Sequence, residues 1–357
     1  MRINWFTCAP LYLVKSELTS DIASARYRML IPSIPLKSKG YAIEFVYLPL
    51  DESIVEVQNS VLPTDIVVFA KSFNVANEGF ARSLKKAGTK IVVDLSDNYF
   101  ETIAYRDHYK ILASLADKIV VPTQSLADVV LECTGKESVI IGDPVEYPRA
   151  DLAFPMFTYQ KTSFFEAFRS KRVCHPIKLL WFGHHSNLQA IIDLIPELKE
   201  LSKAYLLELS IVTSRNYITE SIHKMGSTNM VIKFVEWSQE TLGRLLKYCD
   251  LVLIPTDRDN VIKATKSPNR LTESIWAGKY AVAHPLLSYA EFSEFAWVSE
   301  DLVTGIKWAV THPDMALEQV GNGQEYIQKN YSREIISKKW EAVFESCLCP
   351  CSSVLAE

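Results

Sequence analysis

Several features that would assign the chain to a membrane, a secretory route or nucleic acid are missing. No apolar run approaches the roughly 20 residues that a helix needs to cross a bilayer. The first ten residues, MRINWFTCAP, lack the basic, apolar and small-residue regions of a signal peptide. Positive charge is not in excess, since 38 basic residues against 42 acidic ones give a net charge of −4. Bulk electrostatics therefore does not indicate nucleic-acid binding, and we expect a cytoplasmic protein.

Common cofactor and catalytic motifs are also missing. No G-x-G-x-x-G follows a strand-like run, which argues against a nicotinamide or flavin site. Neither a Walker motif nor a G-x-S-x-G elbow occurs. The adjacent His184 and His185 suggest a metal, but no third ligand has a suitable spacing. We therefore expect no cofactor and no metal.

The seven cysteines do not form a disulfide or metal pattern. Three of them, Cys347, Cys349 and Cys351, bunch in a CLCPC tail that could bind a metal or be acylated. Three soft ligands without a fourth, near a terminus, make neither role the expected one. The scattered cysteines are expected to be reduced thiols: Cys8, Cys133, Cys174 and Cys249.

What the sequence does contain is an alternation of short apolar runs with amphipathic segments. Its 357 residues are too many for one typical core, so two domains are expected. Continuous Val/Ile runs predict strands buried on both faces of a parallel sheet, in a doubly wound α/β fold. In the first half, strands are predicted at 2–6, 42–48, 65–70, 90–96, 117–122 and 138–144, and helices near 21–37, 76–87, 100–115 and 124–133.

The same alternation restarts after a stretch rich in proline and aromatics. Strands are predicted at 177–183, 207–214, 231–237, 251–255 and 280–285, and helices near 188–203, 217–225, 238–248, 268–277, 301–311, 315–329 and 332–346. The predicted domains are 1–150, a linker at 151–176, 177–330, a helix at 331–347 that can cross back to the first domain, and a tail at 348–357. The linker's Phe164, Phe165 and Phe168 lie beside basic residues and could touch an anionic membrane or pack between the domains.

The most informative stretch is KATKSPNRLTESIWAGKYAVAHP, residues 263–285. Ser267 is a good N-cap, Pro268 suits the first helical position, and Gly278 stands where a left-handed cap belongs. A helix over 268–277 is therefore predicted, followed by a short buried strand.

The start of that helix has the character of an anion site. Its unpaired N–H groups and dipole attract negative charge, and Lys263, Lys266 and Arg270 are close in sequence. Asn269 and Glu273 stand four apart, so one helical face can present them with Arg270. A carboxylate one turn beyond a phosphate site suits sugar hydroxyls. The alternative is an ordinary surface helix with an intrahelical Arg–Glu pair.

Further polar residues follow the predicted strands, where ligands of doubly wound folds bind. Arg26 and Arg28 come after the first strand. Asp97 and Asn98 come after the fourth, although they could simply cap the next helix. In the second half the candidates are Gly183 and His184, in a GHHSN loop, and Arg215.

These features resemble the GT-B glycosyltransferases, most nearly family 4, the large retaining group. The resemblance runs over most of the chain and is carried chiefly by SPNRLTESIWAGKYAVAHPLLSYAEF (267–292), with ADKIVVPTQSLADVV (116–130) and SVIIGDPVEYP (138–148). It implies two Rossmann-like domains facing a cleft. It also implies a nucleotide-sugar bound mainly by the second domain and an acceptor bound mainly by the first.

The resemblance also implies roles for individual residues. Glu273 matches the second glutamate of the family's E-x7-E motif, which engages the ribose, whereas the first glutamate falls at Thr265. The family's Arg and Lys after the first strand of the second domain are missing, so Lys266, Arg270 or Arg215 would neutralise the pyrophosphate. Asp97 would be the catalytic residue of the first domain, in contact with the sugar or acceptor. Arg26, Arg28 and Asn98 would lie on the acceptor side, and Gly183, His184, Ser267 and Asn269 on the donor side.

Three classes of function follow. The leading one is transfer of a sugar, with retention, to a glycan, lipid-linked or glycoside acceptor. A nucleotide-sugar 2-epimerase of the same fold is an alternative, for which His184 and His185 would supply the cleft histidines. A non-catalytic nucleotide or glycan binder is another, motivated by the missing first glutamate. The expected location is cytoplasmic, with peripheral contact at the inner face of the membrane left open, and no nucleic acid is expected as a partner.

Overall fold

A computed structural model describes residues 1–48, 64–71, 75–152, 175–214, 228–257 and 260–348. The chain divides into two compact units. The first contains Met1–Glu146, Asn260–Ser267 and Lys329–Glu357, and the second contains Tyr147–Asp259 and Pro268–Gln328. The sequence-based division kept 177–330 together, whereas Asn260–Ser267 groups with the first unit.

The strands coincide closely with the apolar runs. They are β1 (Arg2–Thr7), β2 (Tyr12–Val14), β3 (Glu17–Thr19), β4 (Ala42–Tyr47), β5 (Ile66–Ala70), β6 (Lys90–Asp94), β7 (Lys118–Val121), β8 (Val139–Ile140), β9 (Ile177–Phe182), β10 (Leu207–Thr213), β11 (Met230–Glu236), β12 (Leu251–Ile254), β13 (Tyr280–Ala283) and β14 (Trp297–Val298). The central strands β5 and β12 are buried along their whole length, as expected for strands covered on both faces.

The helices alternate with these strands. They are α1 (Ala23–Ala25), α2 (Ile31–Ser38), α3 (Val75–Lys86), α4 (Ile103–Leu115), α5 (Gln124–Thr134), α6 (Leu188–Leu201), α7 (Gln239–Tyr248), α8 (Val261–Ala264), α9 (Asn269–Trp276), α10 (Leu302–Thr311), α11 (Pro313–Asn330) and α12 (Arg333–Leu348). A π-helical turn, Arg26–Leu30, joins α1 to α2. The helix predicted at 217–225 lies outside the described residues, as do Arg215, the linker phenylalanines, Cys174, Cys349 and Cys351.

Each unit has its own parallel six-stranded sheet, so the doubly wound prediction is confirmed. In the first unit the strand order is β4-β1-β5-β6-β7-β8. In the second it is β11-β10-β9-β12-β13-β14. The winding reverses between β1 and β5 in one sheet and between β9 and β12 in the other. Ligands of such sheets bind at the carboxyl ends of the strands beside that reversal, so each unit has one expected binding edge.

The C-terminal helix α12 completes the core of the first unit. Trp340 is fully buried and packs edge-on against Trp5 of β1, with ring centroids 4.8 Å apart. Phe344, one turn later, packs against both tryptophans. The last helix therefore supplies part of the apolar cover that the first sheet requires.

An N-terminal hairpin was not predicted. Strands β2 and β3 pair antiparallel across Lys15 and Ser16, both of which have positive φ. Two-residue hairpin turns of this kind strongly favour Asn-Gly, so Lys-Ser carries no hairpin signal. The hairpin places exposed apolar side chains after the carboxyl end of β1, with Leu13 70% exposed.

Gly278 has the left-handed backbone that the sequence predicted, with φ of 72°. A Cβ at this position would also lie 2.6 Å from the Asp151 carbonyl oxygen. We expect Gly278→Ala to lower the free energy of unfolding by more than the roughly 1–2 kcal/mol that left-handed backbone costs a non-glycine residue. Gly88→Ala is the control, because Gly88 has φ of +85° and open space around its would-be Cβ. Equal losses in chemical denaturation would show that the clash is relieved without cost.

Candidate functional site

The binding edge of the second unit brings together Gly183 and Arg270. Gly183 directly follows β9, beside the winding reversal, and Arg270 lies in the first turn of α9. A Cβ on Gly183 would lie 3.6 Å from Arg270 Nη1 and 3.3 Å from the Trp181 ring. The absent side chain thus leaves the backbone of this loop close to a guanidinium, which is a suitable arrangement for a phosphate.

The Arg270 guanidinium can donate hydrogen bonds to a ligand. Its Nη1 is buried and has no hydrogen-bond partner among the described residues. The side chain is anchored by a hydrogen bond to Tyr289, whose pKa is raised by burial against the opposing effect of the Arg270 charge. A buried, unsatisfied guanidinium nitrogen is costly, and an anion beside it would remove that cost.

The N-terminus of α9 differs from the sequence prediction. Ser267 was predicted as the N-cap, but that prediction is wrong, because Pro268 occupies the cap position and makes no side-chain cap hydrogen bond. The Ser267 hydroxyl instead donates to Asp143 Oδ2 at 2.5 Å within the first unit. Asn269, expected on the donor side, is the first residue of α9. Proline offers no side-chain acceptor to the first N–H groups of the helix, which leaves them suited to an external anion.

Glu273 lies one turn further along α9 and is only 2% exposed. The whole stretch from Leu271 to Tyr280 is buried. A glutamate at this depth is unusual for a surface helix, so the interpretation of α9 as an ordinary exposed helix is wrong. Thr265, which the resemblance aligned with a glutamate, is buried in the first unit, and its carbonyl accepts a hydrogen bond from Thr123 at 2.8 Å.

Histidines line two strand ends of the second unit. His184 caps the turn after Gly183, because its Nδ1 accepts the Ser186 N–H at 3.3 Å. The ring centroids of His184 and His185 are 3.8 Å apart. His284, which follows β13, was not predicted: its Nδ1 lies 3.1 Å from the Thr256 backbone nitrogen, after β12. Its position at a strand end was the only available signal. Among the described residues, no cluster of three or more His, Cys, Asp or Glu side chains could hold a metal.

The binding edge of the first unit carries a charged cluster. Asp97 Oδ1 lies 3.0 Å from Lys266 Nζ, and Asp97 Oδ2 lies 3.4 Å from Lys71 Nζ. Burial would raise the Asp97 pKa, but the two lysines outweigh it and lower the pKa to about 2. Asn98, next along the chain, is 3% exposed, and its Oδ1 has no partner in the described part of the structure. The sequence named Asp97, Asn98 and Lys266, but not their association.

Arg28 and Arg26 are held inside the first unit. Arg28 is 1% exposed and bonds Asp94 at 2.7 Å, Asp143 at 3.1 Å and the Ile141 carbonyl. Burial opposes its charge, but the two carboxylates prevail and raise its pKa. Arg26 pairs with Glu146 at 2.6 Å. We therefore assign both arginines to joining strand ends and loops, rather than to direct contact with an acceptor.

The comparisons with known proteins concern the fold. No family model and no curated protein matches the chain. The HepE protein of Anabaena, solved in complex with UDP, is 13% identical over 97% of this chain and 100% of its own, with a TM-score of 0.68. A glycosyltransferase from Rickettsia africae is 12% identical over 98% of this chain and 99% of its own, with a TM-score of 0.69.

These likenesses confirm the fold class, two Rossmann-like units of GT-B type. An α-glucosyltransferase solved with UDP-glucose and DNA containing an abasic site is also similar, 12% identical over 97% of this chain and 100% of that one, with a TM-score of 0.59. The fold itself thus does not exclude nucleic acid, so only the charge argument supports that exclusion. No helix in the described residues has the length and apolarity to cross a membrane.

Proposed function

We propose that this protein is a glycosyltransferase that uses a UDP-sugar donor. The observation that carries the proposal is the buried Arg270 Nη1 beside Gly183, at the winding reversal of the second sheet, for which the described residues supply no hydrogen-bond partner. A nucleoside diphosphate fits this place because two phosphate groups can accept from the guanidinium, the loop backbone and the N-terminus of α9. UDP is the diphosphate of choice, since HepE of similar fold was solved with it.

The chemistry needs charge stabilisation more than it needs a strong base. The bond between the anomeric carbon and the β-phosphate oxygen breaks while the acceptor hydroxyl oxygen bonds that carbon. The hydroxyl proton passes to the departing phosphate oxygen, and UDP leaves. Because the acceptor is then on the same face of the sugar as the departing UDP, this route would retain the configuration. Arg270 and the first-turn N–H groups of α9 would stabilise the negative charge that builds on the leaving group. Lys266 has its charge directed at Asp97, so Arg270 takes the phosphate role in this proposal.

In the proposed complex Glu273 accepts hydrogen bonds from the ribose hydroxyls. We expect the native protein to bind UDP more tightly than 2′-deoxy-UDP, and Glu273→Gln to reduce that preference, because the amide is a weaker acceptor than the carboxylate. The expected loss of UDP affinity is about tenfold, the value of one charge-assisted hydrogen bond. The exposed Glu240→Gln in α7 is the control. An unchanged preference in Glu273→Gln, measured by calorimetric titration, would remove Glu273 from the donor site.

A thermal-shift series tests the donor class directly. UDP should raise the melting temperature, because a ligand at 100 times its dissociation constant stabilises the native state by about 2.7 kcal/mol. UDP-sugars would then be screened for release of UDP, with and without acceptors. Absence of a shift with every nucleoside diphosphate at millimolar concentration would contradict the proposal. Binding of UDP without turnover of any UDP-sugar would point to the non-catalytic alternative.

The acceptor is proposed to bind the first unit, where Asp97 would contact the acceptor or the transferred sugar. Asp97 stays ionised throughout the neutral range because its pKa is about 2. It is held between two ammonium groups and is therefore a poor proton acceptor, which suits a mechanism in which the leaving phosphate takes the proton. Asp97 is thus a positioning carboxylate in this proposal.

A further inference from the structure

Lys71 and Lys266, which we call the lysine pair, lie at the binding edge of the first sheet. Lys71 immediately follows β5, which is the strand adjacent to β1 across the winding reversal. Lys266 lies in the Asn260–Ser267 segment, which is distant in sequence but belongs to the same unit. Two cations from separate segments therefore meet at the place where this type of sheet binds ligands.

The lysine pair carries more positive charge than its partner neutralises. Asp97 is the carboxylate between them, with a side chain 8% exposed, so the three groups have a net charge of +1. Both side chains remain partly accessible to solvent, that of Lys71 being 23% exposed and that of Lys266 47% exposed. Each ammonium has three donors, and one contact to Asp97 leaves others for a second anion.

The backbone at Lys71 is strained in a way that ordinary ion pairing does not require. Its φ is +50°, a left-handed value that costs a residue other than glycine of order 1–3 kcal/mol and that clusters at functional sites. Its carbonyl accepts a hydrogen bond from the Cys8 thiol, 2.6 Å away after β1. Asn98 is buried, and no described residue donates to its Oδ1, so it adds a second polar side chain next to Asp97 that can accept from a sugar hydroxyl.

We propose that the lysine pair binds the phosphate of a phosphate-bearing acceptor, held for the glycosyl transfer proposed above, on which this inference rests. The phosphate would contact both ammonium groups. Asp97, which lies between the two lysines, would fix the positions of these ammonium groups. The acceptor is then a sugar phosphate or a lipid-linked phosphate. The exposed Tyr12, Leu13 and Val14 of the β2–β3 hairpin follow β1 at the same sheet edge and favour the lipid-linked source.

Calorimetric titration of the full chain with glucose 6-phosphate, and with glucose for comparison, tests the soluble source. Sedimentation with phosphatidylcholine vesicles, with and without added polyprenyl phosphate, tests the lipid source. We expect at least one phosphate probe to bind better than its phosphate-free counterpart. Lys71→Gln and Lys266→Gln should each weaken that binding about tenfold, whereas Lys71→Arg should retain most of it. The exposed Lys338→Gln in α12 is the matched control.

UDP binding, measured on the same variants, separates this inference from the proposed function. Lys71→Gln should leave UDP affinity unchanged, and Arg270→Ala should lower UDP affinity while leaving the phosphate probe unaffected. The inference is overturned if neither phosphate probe binds better than its phosphate-free counterpart, or if the probe that binds responds to Arg270→Ala instead of Lys71→Gln. Failure of UDP to bind would refute the donor site and would leave the lysine-pair titrations interpretable.

Discussion

Arg270→Ala should weaken UDP binding by about 10- to 100-fold, which corresponds to the 1.5–3 kcal/mol of a hydrogen bond to a charged group. The physical reason is that Nη1 is already desolvated and lacks a partner in the described structure, so the phosphate does not have to strip water from it. The loss should be greatest for UDP and small for uridine, because the guanidinium addresses the phosphates. Calorimetric titration of both ligands measures the difference.

Two variants control this measurement. Arg244→Ala removes an exposed arginine from α7 in the same unit and should leave UDP affinity unchanged. Tyr289→Phe removes the hydroxyl that anchors Arg270 and should cost less than the loss of the guanidinium itself. If Arg270→Ala binds UDP as well as Arg244→Ala does, the phosphates do not contact Arg270 and the donor site must be sought elsewhere.

Arg28→Ala should destabilise the first unit by about 3–5 kcal/mol, because it leaves two buried carboxylates without their cation. Burial raises the pKa of Asp94 even in the native protein, and without Arg28 the positive charge that opposes this rise is gone. A raised pKa in the folded state means stability that is present at acid pH and lost as pH rises. The deficit of the variant should therefore be larger at pH 7 than near pH 5.

Amide hydrogen exchange is the appropriate measurement because the chain has two units. Peptides from β1, β5 and β6 should lose protection in Arg28→Ala, while peptides from β9 and β12 should keep it. Arg82→Ala, at an exposed position in α3, should change stability by less than about 0.5 kcal/mol. Uniform loss of protection in both units, or no loss, would contradict a local structural role for the Arg28 cluster.

The local features of the site were predictable from the sequence because neighbouring residues produce them. The run YAVA is apolar enough to form a fully buried strand, and Gly278 stands before it with the left-handed backbone that ends α9. Gly183 was identifiable as the end of a strand. The placement of Glu273 one turn after the helix start follows from helical spacing.

Partners that are distant in sequence were not predictable. Ser267 has every local property of an N-cap, but its hydroxyl donates a hydrogen bond to Asp143. Lys266 was predicted to face a phosphate, and it pairs with Asp97. Arg28 follows the first strand like a ligand residue, and Asp94, Asp143 and Ile141 enclose it. In each case the competing partner lies more than a hundred residues away or on another strand, so no local pattern reveals it.

By itself the sequence determined the two parallel sheets, the positions of most of their strands and helices, and the helix before Gly278 that presents Arg270 and Glu273. These follow from hydrophobic periodicity and from the backbone preferences of glycine and proline, which act over a few residues. Only the tertiary structure decided which charged side chains are paired inside the protein and which remain available to a ligand. Arg26 and Arg28 pair with buried carboxylates in the interior, whereas the buried Arg270 Nη1 has no hydrogen-bond partner among the described residues. That distinction depends on burial and on partners brought together by folding, and it separates the arginines that hold the fold from the one proposed to bind the donor.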